Sequence, residues 1–201
     1  VNEAIDKHCD LIISHHPLIF RGLKQITGST TQERCIEKAI RHNIAIYSSH
    51  TSMDVYLHGV SGKIADKLDI INYHILCPTT DDNVGLGVIG ELKTPMKSDD
   101  FIHFVQNIFD CSLRYIKPCD ENITTVAICG GAGAEFITQA IAQGADIYIT
   151  ADMKYHEMQA AYGQIGVIDL DHWPSEHFTR EIFDELLKQH ITTHIAETDT
   201  T

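Results

Sequence analysis

No run of apolar residues in this chain approaches the roughly 18 that cross a membrane. No secretory hydrophobic region opens it. Neither a membrane partner nor export is expected. Basic residues are scarce too: 15 Lys and Arg face 28 Asp and Glu, for a formal net charge of −13 with His neutral. A general binder of nucleic-acid backbones needs a basic face, so nucleic acid is not the expected partner, although a local anion site stays compatible. The acidic balance reads first as a solvated surface.

Paired cysteines are also lacking. Cys9, Cys35, Cys77, Cys111, Cys119 and Cys129 never fall in a C-x-x-C spacing, and several lie in apolar stretches such as Val126-Ala127-Ile128-Cys129. A zinc ribbon or disulfide scaffold is therefore not expected; buried free thiols in a reducing cytoplasm fit better. Histidine, in contrast, is abundant, with 13 in 201 residues. The remaining composition, 43% hydrophobic and 21% charged, suits one globular domain or two small ones. The chain opens on Val1, and Asn2-Glu3-Ala4-Ile5 reads as the middle of a helix, so further N-terminal sequence is expected.

Strand and helix patterns alternate. Residues 11–13 and 44–48 read as buried strands, and 31–42 and 60–68 as helices, the first with Cys35, Ile36, Ala39 and Ile40 on one face. Residues 73–76 and 84–92 read as strands joined by a polar link that includes Asp81-Asp82. A helix follows at 98–109, with Ser98 as N-cap, then a strand at 113–116. The pattern restarts with strands at 125–129, 147–150 and 167–170, and helices at 135–143 (closed by Gly144), 155–162 and 175–188. This predicts an α/β protein of two α/β lobes with mainly parallel sheets, residues 1–77 and 118–201, connected by the strands and helix of 78–117. The Thr198-Asp199-Thr200-Thr201 tail carries no signal.

Ligands of an open parallel sheet lie beyond the carboxyl ends of its strands. Four such ends here carry metal-ligand residue types: Ser14-His15-His16-Pro17, Ser49-His50-Thr51-Ser52-Met53-Asp54, Asp152-Met153-Lys154-Tyr155-His156, and Asp171-His172-Trp173-Pro174-Ser175-Glu176. Adjacent residues of an extended chain point to opposite faces, and Pro17 keeps His16 extended. His15 and His16 would therefore serve two ions more easily than one, bridged at about 3.5–4 Å as in two-metal hydrolases. Pro174 and Ser175 read as the start of the last helix, which puts Glu176 in its first turn and His172 in the preceding loop. Imidazole and carboxylate donors suit zinc, iron or manganese.

Cys129-Gly130-Gly131-Ala132-Gly133 joins a strand to a helix, without the dinucleotide fingerprint or a Walker lysine. It is either a tight turn or, through Gly130, Gly131 and Gly133, a phosphate cradle. His50, Tyr155 and His156 are candidates to move protons, and Lys154 to contact a substrate phosphate. His50 could instead orient a ligand from behind.

Taken in order, Leu11-Ile12-Ile13-Ser14-His15-His16-Pro17-Leu18-Ile19-Phe20, Ser49-His50-Thr51-Ser52-Met53-Asp54, Gly130-Gly131-Ala132-Gly133, Ala145 through His156, and Asp171-His172-Trp173-Pro174-Ser175-Glu176 resemble the signature of the Nif-three-like family, the GTP cyclohydrolase I type 2 homologues. The resemblance spans nearly the whole chain. It implies a dinuclear metal site between two α/β lobes, with His15, His16, Asp54, His172 and Glu176 as ligands and Glu176 as the bridge. It also implies a toroidal homohexamer and a nucleotide-like substrate, with hydrolytic opening of the GTP imidazole ring and release of formate. Two rival readings stand beside that one: a non-catalytic metal-binding scaffold or regulatory partner, and a metal-dependent phosphoesterase. The link from Cys77 to Val84 is too short for the inserted domain that some members carry, and Trp173-Pro174 stands where the family often has Tyr.

Overall fold

The computed structural model describes residues 1–81 and 83–198. Asp82 of the acidic link and the last three residues of the tail lie outside that set. The chain divides into two compact units, Val1–Met53 with Arg180–Thr201, and Asp54–Thr179. The strands at Gly85–Lys97 and Arg114–Ile116 belong to the larger unit's sheet.

The smaller unit carries α1 (Asn2–Asp6), β1 (Leu11–Ser14), α2 (Thr31–Arg41) and β2 (Ala45–Ser48). β1 and β2 pair in parallel, from Leu11 opposite Ala45 to Ser14 opposite Ser48. The α2 N-terminus is capped by Thr30, whose hydroxyl accepts the Glu33 N–H at 3.1 Å. Its end is set by Asn43, which takes the left-handed conformation (φ 53). Ile36 and Ala39 are buried along α2, but Ile40, expected on the same face, is 69% exposed. Glu33 is buried. Its Oε2 accepts the Thr27 N–H at 2.7 Å, the Thr27 hydroxyl at 2.8 Å and the Ser29 N–H at 3.1 Å. These bonds hold its carboxyl down at about 2, Thr27 contributing most.

The larger unit is built on a six-stranded sheet. Its strands are β3 (Ile70–Pro78), β4 (Gly85–Lys97), β5 (Arg114–Ile116), β6 (Asn122–Ala132), β7 (Ile147–Ala151) and β8 (Gly166–Asp169), in the order β3-β4-β6-β7-β8-β5. β6, β7 and β8 are parallel, whereas β3, β4 and β5 pair antiparallel. The sheet is therefore mixed, parallel at its heart with antiparallel strands on both sides. β7 is buried at every residue, which is why its sequence is an unbroken apolar run ending in Thr150 and Ala151. α4 (Val60–Lys67), α5 (Ser98–Phe109), α6 (Ile137–Ala142) and α7 (Tyr155–Ala161) are its main helices. A 3₁₀ turn at Ala134–Phe136 precedes α6, and Gly144 closes it with φ +76. Ser98 begins α5 as its first helical residue, with no capping bond from Lys97 before it.

The single helix expected at 175–188 is two, α8 (His172–Glu176) and α9 (Thr179–Leu187). The Thr179 hydroxyl donates to the Glu176 carbonyl at 2.8 Å where one helix gives way to the next. α8 starts three residues earlier than expected, because Pro174 is tolerated within its first turn. Among the described residues no helix is long and apolar enough to cross a membrane.

Candidate metal centre

In the smaller unit the site begins where β1 and β2 end side by side. Ser14 Oγ donates to the His16 carbonyl at 2.8 Å and lies 2.8 Å from Ser48 Oγ. β1 thus stops at Ser14, and the chain turns before the two histidines. Their rings are not thrown to opposite faces; their centroids are 4.9 Å apart. The His15 Nδ1–H donates to the Ser49 carbonyl at 3.1 Å, a bond that leaves Nε2 as the acceptor nitrogen. His15 is buried and His16 exposed.

His50 completes a triangle. Its ring centroid is 5.1 Å from those of both His15 and His16. One nitrogen from each of the three rings lies within 4.8 Å of the others. Two nitrogens on one ion at about 2.1 Å each are at most about 4.2 Å apart, so a modest closing of the rings lets one cation draw on them. The adjacency of His15 and His16 therefore does not by itself demand two ions. The Phe20 ring stands edge-on to His50 at 6.5 Å.

In the larger unit, α8 places His172 and Glu176 one turn apart on the same face. His172 Nε2 is 3.0 Å from Glu176 Oε2, and His172 Nδ1 is 2.7 Å from Asp152 Oδ2. The Glu176 bond, with a further contribution from Asp152, raises the His172 pKa to about 9 against the opposing effect of burial. His172 is therefore not the loop residue that the sequence suggested but the first residue of Glu176's own helix. Gly131 makes room for Glu176: a Cβ on Gly131 would lie 2.3 Å from Glu176 Oε1.

The glycine stretch is committed to the fold. The Gly130 N–H donates to Ser61 Oγ at 3.2 Å, the Gly131 N–H to Ser175 Oγ at 3.0 Å, and the Gly133 N–H to Thr150 Oγ1 at 3.0 Å. A phosphate would have to displace these hydroxyls. Lys154, Tyr155 and His156 are exposed at the start of α7. Glu157 fixes that start by accepting the Lys154 N–H at 2.7 Å. Asp54 is half-buried at the end of α3 (Thr51–Asp54). Burial pushes the Cys129 thiol up to about 12, with a smaller rise from the Asp54 charge, so this cysteine is an inert packing group. The expectation of buried thiols holds for Cys129, whereas Cys9, Cys35, Cys77 and Cys111 are half-buried and Cys119 is exposed.

The donors of each unit fit a divalent cation: imidazole and carboxylate with no thiolate. Two placements were not legible in the sequence. Sequence alone left His50 as a proton carrier or rear support, and its place in the imidazole triangle depends on β1 and β2 ending side by side. Asp152 had no role at all, because its partnership with His172 depends on β7 and β8 being neighbours.

The Duf34/NIF3 (NGG1p interacting factor 3) family model matches residues 1–201. The chain belongs to the DUF34/NIF3 family. Among NIF3 relatives, a GTP cyclohydrolase 1 type 2 homolog of Streptococcus pneumoniae is 36% identical over 190 residues, covering 92% of this chain and 69% of the relative. A protein NIF3 homolog of Schizosaccharomyces pombe is 31% identical over 188 residues, 87% of this chain and 66% of the relative. The crystal structure of a Staphylococcus aureus hypothetical protein superposes with a TM-score of 0.86 at 28% identity, covering 94% of this chain and 75% of that one.

Proposed function

We propose that this NIF3 protein binds two divalent cations, zinc, iron or manganese, through His15, His16, Asp54, His172 and Glu176, and uses them to hydrolyse a nucleotide-like substrate. The observation that supports it most is the convergence of imidazole nitrogens within 4.8 Å of one another at the end of β1. The His172–Glu176 pair, supplied separately by α8, adds the carboxylate that a two-ion site needs as a bridge. Bound ions of this kind polarise an electrophilic carbon and lower the pKa of water.

The chain's own residues do the rest. His50, Tyr155 and His156 carry protons to and from the reacting group. Lys154, an exposed cation at the start of α7, meets a substrate phosphate. The glycine amides, already bonded to Ser61, Ser175 and Thr150, are the weaker phosphate candidates. The name of the Streptococcus pneumoniae relative points to GTP as the first substrate to try. A toroidal homohexamer in the cytoplasm belongs to the same reading, and sedimentation velocity tests the assembly.

The test is to incubate metal-loaded protein with GTP and assay formate and a pterin product. Release of both, lost in His172→Ala, supports the reading. No release from GTP, with His172→Ala abolishing hydrolysis of a phosphoester panel, moves the chemistry to phosphoesters. No hydrolysis of either, with metal still bound, leaves a metal-binding partner protein. The exposed Ile19 and Phe20 beside His50 favour that second reading as a contact surface.

A further inference from the structure

We propose that Asp152 is the positioning residue of His172: its carboxylate fixes the imidazole so that Nε2 is the nitrogen offered to a metal. This rests on the metal-binding reading above and assigns a role to a residue outside the five-ligand set. The first support is geometric. Asp152 Oδ2 lies 2.7 Å from His172 Nδ1, while the same ring's Nε2 is turned to Glu176 at 3.0 Å. A metal-bound histidine regularly donates its other ring N–H to a carboxylate, which fixes tautomer and orientation and raises ligand basicity.

The second support is the backbone. Asp152 and Asp171 both take positive φ, 57 and 67, one and two residues beyond the ends of β7 and β8. Non-glycine residues persist there only when the surroundings over-determine them, and such positions cluster at functional sites. The third support is what holds the two strand ends together. Asp169, only 2% exposed, accepts the Met153 N–H at 3.1 Å and the Asp171 N–H at 3.0 Å, and it pairs with Arg114. One buried carboxylate thus ties the residue after Asp152 to the residue before His172. The loops that carry the positioning carboxylate and the imidazole are locked in register with each other.

Asp152→Gly removes the carboxylate and tolerates the positive φ, and Asp152→Asn keeps an acceptor oxygen and also tolerates it. Zinc affinity of the full chain is measured by chelator competition, alongside thermal melting and ¹⁵N-histidine NMR of the zinc-loaded protein. Asp152→Gly is expected to weaken zinc binding about 10–100-fold, with Asp152→Asn between it and wild type. Melting without metal should change little. In wild type the His172 ring should show a protonated Nδ1 and a metal-bound Nε2, and Asp152→Gly should lose that signature. If His172→Ala weakens zinc binding while Asp152→Gly and Asp152→Asn bind as wild type does, the positioning role is overturned and the metal reading stands. If wild type binds none of zinc, iron(II) or manganese(II) in the same competition, or His172→Ala binds the ion as wild type does, both fall.

Discussion

Gly131 and Glu176 are in contact in a way that only glycine permits: a Cβ on Gly131 would stand 2.3 Å from Glu176 Oε1, on a backbone with φ +67. Gly131→Ala is therefore expected to impose about 1–2 kcal/mol of backbone strain and to displace the carboxylate. A thermal melt should show a fall of about 2–8 °C. Metal content measured on the same sample should fall with it, because the glycine's role is to admit the ligand.

His50 tests the imidazole triangle. His50→Ala deletes one of three nitrogens that lie within 4.8 Å of one another, yet leaves the backbone bond from Met53 N–H to the His50 carbonyl (2.8 Å) in place. We expect the melting temperature and divalent-metal content to stay close to wild type while turnover falls by about 100-fold or more. A tenfold or greater loss of metal affinity would instead make His50 part of the metal site.

Asp169 should be the most costly single residue to remove near the strand ends. Asp169→Ala leaves the Met153 and Asp171 N–H groups without their acceptor. The expected loss is roughly 2–5 kcal/mol in denaturant unfolding. Arg114→Ala should cost less, because the Asp169 carboxylate keeps both backbone N–H donors when the guanidinium is gone.

Glu33 gives an acid-side signature. Its carboxyl is held at about 2 in the folded protein by hydrogen bonds from Thr27 and Ser29. A folded-state pKa below the unfolded one stabilises fully above the unfolded value, and that stabilisation fades as pH falls toward the folded value. Wild type should therefore be more stable than Glu33→Gln near neutral pH. The gap should shrink as pH falls from about 4.5 to about 2. Melting curves of the two proteins across that range check the sign.

Much of the scaffold could be read before any coordinates, and the reason is local. The strand β7 is apolar because both of its faces are buried, and the polar residues after it mark its end. The same rule located His15, His16, His50 and His172 at strand ends. What escaped depended on pairings distant in sequence. β5 pairs with β8 through Arg114 and Asp169, so the strand at Arg114–Ile116 belongs to the larger unit's sheet. The angle between the His15 and His16 rings followed from the turn beyond Ser14, not from strand alternation.

The central claim is that the chain binds divalent metal through these particular side chains. Metal content of purified wild type, His16→Ala and Glu176→Ala, measured by inductively coupled plasma mass spectrometry after dialysis, tests it most directly. We expect two tightly held divalent ions per wild-type chain and a clear loss in each variant. Wild type without bound divalent metal, or variants that retain the full wild-type content, would contradict it.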